Sequence, residues 1–332
     1  MTEFPTPRYV ELPGLSMAVH EHGPGDGVPV VLCHGWPEIA YSWRRQIAAL
    51  GDAGYRVIAP DMRGYGGTVG PKGPQAVPLY DMAHLTGDLV HLLDALELER
   101  AVFVGHDWGG AVVWQMPLLH PARVAGVIGV NTAFIPRTER DPLDGLRAKY
   151  GDDMYMLRFQ DFGLAEAAFE RDTGRSLRFI HRRSPVTQAN WAQRPSKGRG
   201  LALLSALERP EEDWPGTDLH TDEEHAVFRE AFERSGWEGG VNWYRNISRN
   251  WRLSEGMPQT IDAPCLMIFA ENDVVLPPSH GDGMERFIGD LEKHVIDGCG
   301  HWTQTEAPEQ LNALMLDWLG RRFGPDARPA NA

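Results

Sequence analysis

The sequence has few cysteines, fewer basic than acidic residues and no long apolar run. Three cysteines in 332 residues do not make a disulfide framework and suit free thiols in a reducing cytoplasm. The 32 Lys and Arg against 46 Asp and Glu give a formal net charge of −14, which argues against nucleic acid or anionic membranes as partners. The sequence also lacks the run of about 18 apolar residues that a membrane-spanning helix needs and the basic-then-apolar start of a signal peptide. We therefore expect a cytoplasmic protein that binds neither nucleic acid nor membranes.

The histidines likewise lack the clustered spacing of a metal site. None of the 13 belongs to an H-E-x-x-H or similar pattern, so we expect no metal and no cofactor. Hydrophobic residues make up 42% of the chain, which is enough for a packed core. The length allows one large domain with an insertion, or two domains.

Short apolar runs rich in Val and Ile alternate with longer helical patterns. Leucines recur at helical spacing in AHLTGDLVHLLDALEL (83–98), and APEQLNALMLDWLGRRF (307–323) has the pattern of a closing amphipathic helix with Pro308 in its first turn. This alternation predicts an α/β fold with a mostly parallel sheet covered by helices on both faces. The predicted buried strands are PVVLC (29–33), RVIAP (56–60), AVFVG (101–105), VAGVIGVN (124–131), PCLMIFA (264–270) and KHVID (293–297).

The alternation stops at about residue 136 and resumes after about residue 258. The intervening text is aromatic, charged and helix-like, without strand runs. We therefore predict a first core segment at 1–136, an inserted helical cap at 137–258 and a second core segment at 259–332.

The stretch GHDWGG (105–110) predicts the nucleophile of an enzyme. A strand ends at Gly105 and a helical pattern follows, so Asp107 would stand on a sharp strand-to-helix turn. Such a turn needs small residues two positions before and after the exposed side chain, which Gly105 and Gly109 provide. Asp107 occupies the place where a serine usually stands, which makes an ordinary serine esterase a poor interpretation.

Three further stretches follow predicted strands, where the turn would need them. HGWP (34–37) offers a loop whose backbone N–H groups can face developing negative charge. Asp273 follows one later strand and His301 follows the next, so the chain order is nucleophile, acid, base, as in the α/β-hydrolase fold. His34 and His106 flank these motifs, and we expect them to orient loops.

With HGWPE, DMRGYGGT (61–68), GHDWGG, ENDVVLPP and GCGHW in this order, the chain resembles the epoxide hydrolases of the α/β-hydrolase fold. The resemblance covers roughly residues 8 to 323. Haloalkane dehalogenases share these core motifs, so the motifs identify a carboxylate nucleophile without choosing the leaving group. The resemblance also implies a cis Trp36–Pro37 bond.

The cap segments favour an epoxide. YMLRFQDFGLAEAAFERD (155–172) and NWYRNISRNW (242–251) look like the epoxide-hydrolase segments that carry two cap tyrosines, which map onto Tyr155 and Tyr244. Phenols suit an epoxide, because its oxygen leaves as an alkoxide that needs donors or a proton. Arg158 departs from the aromatic or apolar residue of many relatives, which bears on pocket shape.

The expected reaction has two steps. Asp107 attacks an epoxide carbon, and Tyr155 and Tyr244 bind and protonate the ring oxygen, which leaves a hydroxyalkyl ester. The product would be a vicinal diol, and the substrate a small, apolar epoxide that also contacts Trp36 and Trp108.

In the second step, His301 is expected to activate a water that attacks the ester carbonyl. Asp273 would orient His301, and the backbone N–H groups of Trp36 and Trp108 would form the oxyanion hole. The loop after the sixth strand, which supplies the acid in some relatives, offers only Asn131 here.

Two alternatives stay open at this point. One is a haloalkane or haloacid dehalogenase that uses the same aspartate, and the other is a non-catalytic ligand-binding homologue. Substrate identity, chirality, regioselectivity and oligomeric state stay open as well, with a homodimer among the options.

Overall fold

The structure of this chain is a computed structural model that describes residues 4–195 and 201–324. Its strands are β1 (Arg8–Leu12), β2 (Leu15–His22), β3 (Pro29–Cys33), β4 (Arg56–Pro60), β5 (Ala101–His106), β6 (Val124–Val130), β7 (Arg182–Arg183), β8 (Thr217–Asp218), β9 (Cys265–Ala270) and β10 (Leu291–Ile296). Its α-helices are α1 (Arg44–Asp52), α2 (Met82–Ala95), α3 (Trp108–Leu119), α4 (Pro142–Tyr150), α5 (Tyr155–Arg158), α6 (Leu164–Glu170), α7 (Thr173–Ile180), α8 (Gln188–Ala192), α9 (Leu203–Leu207), α10 (Asp222–Ser235), α11 (Glu238–Arg245), α12 (Ile247–Leu253), α13 (Thr303–Glu306) and α14 (Pro308–Phe323).

Most of the strands form one sheet in the order β1-β2-β4-β3-β5-β6-β9-β10. The β1–β2 and β2–β4 pairs are antiparallel, and the pairs from β4 to β10 are parallel. Each predicted strand coincides with or overlaps one of the parallel strands, so the mostly parallel sheet is confirmed. The sequence pattern does not predict β1 and β2, because RYVEL and LSMAVHEH mix charged residues and histidines with apolar ones.

The central strands are buried on both faces. Alternate side chains of a strand point to opposite faces of a sheet. Val31 and Cys33 of β3 therefore pack with α2 and α3 on one side, while Val30 and Leu32 pack with α1 and α14 on the other. Burial of each such aliphatic side chain contributes about 1.5–3 kcal/mol to folding. Helices thus cover both faces, as predicted, and among the helices of the described ranges none has both the length and the apolar composition needed to cross a membrane.

Between β6 and β9 the chain leaves the sheet and forms α4 to α12 with the small ribbon β7–β8. The predicted helical insertion falls here, and its limits at 137 and 258 stay predictions. The predicted second core segment runs to residue 332, and residues 325–332 lie outside the described part of the chain.

The cap meets the core at a close contact between two glycines. A Cβ on Gly64 would lie 2.8 Å from Cα of Gly239 in α11, so neither position has room for a side chain. Next to this contact, Nε1 of Trp243 donates to the Arg63 carbonyl at 3.1 Å. The close approach brings α11, which carries Tyr244, down onto the core.

Candidate active site

Asp107 lies on the sharp turn between β5 and α3. Its φ of 50° and ψ of −120° are strained for a residue with a side chain. A Cβ on Gly105 would collide with the Gly109 carbonyl, and a Cβ on Gly109 would collide with the Cys33 carbonyl. The Thr132 hydroxyl anchors the turn by donating to the Asp107 carbonyl at 2.7 Å. The glycines that the sequence marked are therefore required by close packing around this carboxylate.

The Asp107 carboxylate has one partner on each oxygen. The backbone N–H of Trp36 donates to Oδ1 at 2.8 Å, and Nε2 of His301 lies 3.9 Å from Oδ2. The Asp107 side chain is 13% exposed and that of His301 is 17% exposed, so the pair sits in a nearly enclosed space. Trp36 precedes Pro37 through a cis peptide bond, as the resemblance implied.

Asp273 and His301 form the second part of the site. Nδ1 of His301 lies 2.8 Å from Oδ2 of Asp273, which is completely buried. The backbone N–H groups of Val275 and Leu276 donate to Oδ1 at 2.8 and 2.9 Å. The side-chain amide of Asn131 donates to Oδ2 at 2.7 Å. The buried carboxylate thus has donors on both oxygens, which keeps its ionised form stable away from water.

The charges of this pair shift both pKa values. Burial would raise the pKa of Asp273, but the charge and hydrogen bond of His301 outweigh burial and hold it below its usual range. Burial would lower the pKa of His301, yet the charge and hydrogen bond of Asp273, with the charge of Asp107, raise it to about 9. At neutral pH the imidazole is therefore protonated as long as Asp107 is a free carboxylate.

Asn131 has a role that sequence reasoning did not predict. It was considered only as a substitute for the acid, whereas its amide donates both to Asp273 and, at 3.1 Å, to the His301 carbonyl. The Thr303 hydroxyl donates to its Oδ1 at 2.7 Å and so fixes the orientation of the amide. Asn131 has a left-handed φ of 62°, a conformation that asparagine tolerates better than most residues. An Asn directly after a buried strand is the signal that could have marked it.

A second buried network, also missed from the sequence, lies behind the nucleophile. Oε2 of Glu38 accepts from the Gly35 N–H at 3.1 Å and lies 2.9 Å from Nδ1 of His106. Nε2 of His106 lies 2.8 Å from the His301 carbonyl, and Gln304 donates to Oε1 of Glu38 at 2.5 Å. Burial would raise the pKa of Glu38, but the charge of His106 outweighs it and lowers the pKa. This network joins the HGWP loop, the turn at the nucleophile and the loop of the base.

His34 orients the HGWP loop in a defined tautomer. The Met62 N–H donates to Nε2 of His34 at 2.9 Å, so the proton of the neutral ring is on Nδ1, which lies 2.9 Å from the Gly35 carbonyl. Burial lowers the pKa of His34, which favours the neutral ring. His34 and His106 thus both make the loop-orienting contacts expected of them.

The two cap tyrosines lie together above this part of the core. The rings of Tyr155 and Tyr244 are 5.6 Å apart between centroids, and Tyr244 is 5.5 Å from Trp36 and 5.0 Å from Trp108. Burial, and then the neighbouring charge of Asp107, raise the pKa of the Tyr155 phenol. Burial likewise raises the pKa of Tyr244 far above its usual range. Both phenols therefore keep their protons and can act as hydrogen-bond donors.

Gln160 ties the two tyrosine segments to each other. Its side-chain amide donates to the carbonyl of Met156 in α5 at 2.8 Å and to that of Tyr244 in α11 at 3.0 Å. The Phe-Gln pair that supported the assignment of Tyr155 thus also determines where Tyr244 lies.

The two expected oxyanion donors differ in their present contacts. The Trp36 N–H faces the Asp107 carboxylate directly. Trp108 is the first residue of α3, where backbone N–H groups have no partner within the helix. Their joint role in an oxyanion hole stays a prediction.

Arg158 does not point into the space around Asp107. Its side chain is 41% exposed, and Nη1 lies 3.8 Å from Oδ2 of Asp161 on the cap surface. The departure from the family pattern at this position therefore falls on the outside of the cap.

The fold and this site define an α/β hydrolase with a carboxylate at the nucleophile position, and residues 28–308 match the family profile described as alpha/beta hydrolase fold. The chain is 40% identical over 319 residues to epoxide hydrolase A of Mycobacterium tuberculosis, which covers 95% of this chain and 97% of that protein. Its structure is similar to the crystal structure of epoxide hydrolase A from Mycobacterium thermoresistibile, with a TM-score of 0.85, 40% identity and coverage of 95% and 98%. An epoxide hydrolase from Vigna radiata gives a TM-score of 0.81 at 32% identity, covering 96% and 99%. The chain belongs to the epoxide hydrolases of the α/β-hydrolase fold family.

Proposed function

We propose that this protein converts an apolar epoxide and water to a vicinal diol through a covalent ester on Asp107. The observation that carries the proposal is the pairing of a strained, partly enclosed carboxylate with two buried phenols on one side and a His–Asp pair on the other. A carboxylate can alkylate itself directly on an sp³ carbon, whereas the phenols supply the donors that an opening epoxide needs.

In the first step, Oδ2 of Asp107 forms a bond to one epoxide carbon while the bond from that carbon to the ring oxygen breaks. The Trp36 N–H holds Oδ1, which leaves Oδ2 as the attacking atom. Tyr155 and Tyr244 donate to the ring oxygen, which takes up a proton from a phenol as it becomes a hydroxyl. The product of this step is a hydroxyalkyl ester.

Formation of the ester prepares the base for the second step. The negative charge of Asp107 contributes to the raised pKa of His301, and esterification removes that charge. His301 can then lose its proton and take one from a water that adds to the ester carbonyl. Backbone N–H groups of Trp36 and Trp108 stabilise the oxyanion, the diol leaves with a proton from His301, and Asp107 keeps one oxygen from water.

A single turnover in heavy-oxygen water tests the ester mechanism. One equivalent of styrene oxide is added to excess protein, and the peptide that contains Asp107 is analysed by mass spectrometry. We expect a mass gain of one heavy oxygen in that peptide and none in the diol. Label in the diol alone would mean that water attacks the epoxide directly, and the proposal would be wrong.

Other expectations are tested separately. A small epoxide and water are the proposed partners, and no observation favours the dehalogenase or the non-catalytic alternative. A homodimer would run at twice the 37.0 kDa of the chain in light scattering. A cytoplasmic location would be seen by cell fractionation.

A further inference from the structure

His181 is a cap residue that contacts the catalytic loops of the core. It directly follows α7, precedes β7 and is 3% exposed. Nε2 of its ring lies 3.1 Å from the carbonyl oxygen of Pro37. Its own carbonyl accepts from the Leu219 N–H at 3.3 Å, which ties it to the neighbouring cap segment. The side chain is therefore held by the cap while its ring reaches the HGWP loop.

The ring donates a hydrogen bond to Pro37. Burial and the neighbouring His220 lower the pKa of His181 well below its usual range, so the imidazole is neutral and carries one N–H. Nδ1 has no hydrogen-bond partner among the described residues, whereas Nε2 faces a carbonyl oxygen, which can only accept. The proton is thus on Nε2, and the bond to Pro37 uses it.

The Pro37 carbonyl lies next to the atoms that would stabilise the oxyanion. Pro37 directly follows Trp36, whose N–H donates to Oδ1 of Asp107 at 2.8 Å. From the core side, Glu38 holds the same loop through the Gly35 N–H at 3.1 Å. From the cap side, His181 holds it through the Pro37 carbonyl. The Trp36 N–H therefore lies between one anchor from the core and one from the cap.

The same cap segment also contacts the loop of the base. The His181 ring meets the edge of Trp302 at a centroid distance of 5.0 Å, and Trp302 packs at 4.6 Å against His301. Two residues further on, Nη1 of Arg183 lies 3.7 Å from Oε2 of Glu306. The cap thus contacts the oxyanion loop and the base loop at one place.

We propose that His181 is a positioning residue that sets the Trp36 N–H for hydrolysis of the ester. The inference rests on the proposed function, because it assigns an effect to the second step of that reaction. Ring opening needs the carboxylate and the phenols, whereas the oxyanion donor matters most when charge develops on the ester carbonyl oxygen. Loss of the bond to Pro37 should therefore slow the second step more than the first.

Another cap histidine provides a matched control. His225 is 6% exposed, and its Nε2 lies 2.9 Å from the carbonyl of Gly174, which also belongs to the cap. His225→Phe removes a buried histidine bond inside the cap, and His181→Phe removes one between cap and core. His181→Gln keeps an N–H close to the position of Nε2, whereas His181→Asn is too short to reach Pro37.

The test measures the two steps separately. The four variants and the wild type are mixed with styrene oxide, quenched at intervals and analysed by intact mass, which gives the rates of ester formation and ester decay. We expect His181→Phe and His181→Asn to slow ester decay about 10-fold while formation stays within about 3-fold, given that loss of a whole oxyanion donor costs about 100-fold or more. His225→Phe should leave both rates within about 3-fold, and His181→Gln should restore most of the decay rate.

Several outcomes would overturn the inference. Equal slowing of both steps, or the same effect from His225→Phe, would mean that His181 only supports the fold. If His181→Phe does not fold, the ratio of the two rates in His181→Gln and His181→Asn decides, and equal ratios would refute the inference. Absence of any ester in the wild type would instead refute the proposed function, so the two failures are distinguishable.

Discussion

In the core, each candidate catalytic side chain is held by directed hydrogen bonds, whereas in the cap the two phenols are surrounded by aromatic rings. Asp273 accepts from backbone and amide N–H groups on both oxygens, and Asp107 accepts from the Trp36 N–H. Tyr155 and Tyr244 are instead packed against each other and against indole rings at centroid distances of 5.0 to 6.4 Å. Hydrogen bonds hold a single atom in place, while ring packing holds a surface.

This difference has a consequence for the tolerance of each half to substitution. The core acts through single atoms whose loss stops a step, so one substitution should have a large effect. The cap shares its task between two phenols, so one should partly replace the other. Four predictions test this contrast.

The largest effect is expected at the base. His301→Gln should leave ring opening intact and lower turnover at least about 1,000-fold, because nothing else close to the ester can take a proton from water. Intact mass should show the protein gaining the mass of the epoxide and keeping it. Asp107→Asn, as a control, should gain no mass, and continued turnover by His301→Gln would require another base.

A smaller effect is expected at the cap. Tyr155→Phe combined with Tyr244→Phe should slow ester formation by about 100-fold or more, and each single change by about 10-fold, because general acid catalysis contributes about 100- to 10,000-fold. Rapid-quench mass spectrometry measures that rate, with circular dichroism as the check on folding. A single change as harmful as the double one would show that the phenols do not share the task.

The histidines of core and cap should affect the pH dependence of stability in opposite directions. The pKa of His301 is raised from 6.5 to about 9, so folding binds a proton in that range and the free energy of unfolding should fall as pH rises through it. The pKa of His220 in the cap is lowered by burial, and further by Arg44, to about 3, so stability should fall as pH drops from 6.5 towards 3.

Urea titrations between pH 4 and 9 measure both slopes. His301→Gln should flatten the alkaline slope, and His220→Phe should flatten the acidic one. An alkaline slope that is unchanged in His301→Gln would contradict the raised pKa of this residue.

The smallest effect is expected at Arg158. Its side chain lies on the cap surface beside Asp161, so Arg158→Phe should change kcat/KM for styrene oxide less than about 2-fold. A change of 10-fold or more would place this side chain at the substrate after all.

Sequence reasoning reached most of the core half of the site and part of the cap half. The parallel strands are continuous apolar runs, and the glycines around Asp107 are adjacent in the chain, so local patterns reveal both. The cap tyrosines have no such local signal, and their assignment depended on resemblance. The strands β1 and β2 were missed because mixed polar sequence at a sheet edge has no distinctive period.

By itself, the sequence determined the parallel sheet, the sharp turn at Asp107 and the order of nucleophile, acid and base. Each of these depends on residues a few positions apart, where hydrophobic spacing and steric limits act locally. Only the tertiary structure decided that Glu38 meets His106, that Asn131 joins Asp273 to the His301 loop, and that a cap histidine reaches Pro37. Those contacts join segments distant in the chain, and their geometry follows from how helices pack on the sheet rather than from any local pattern.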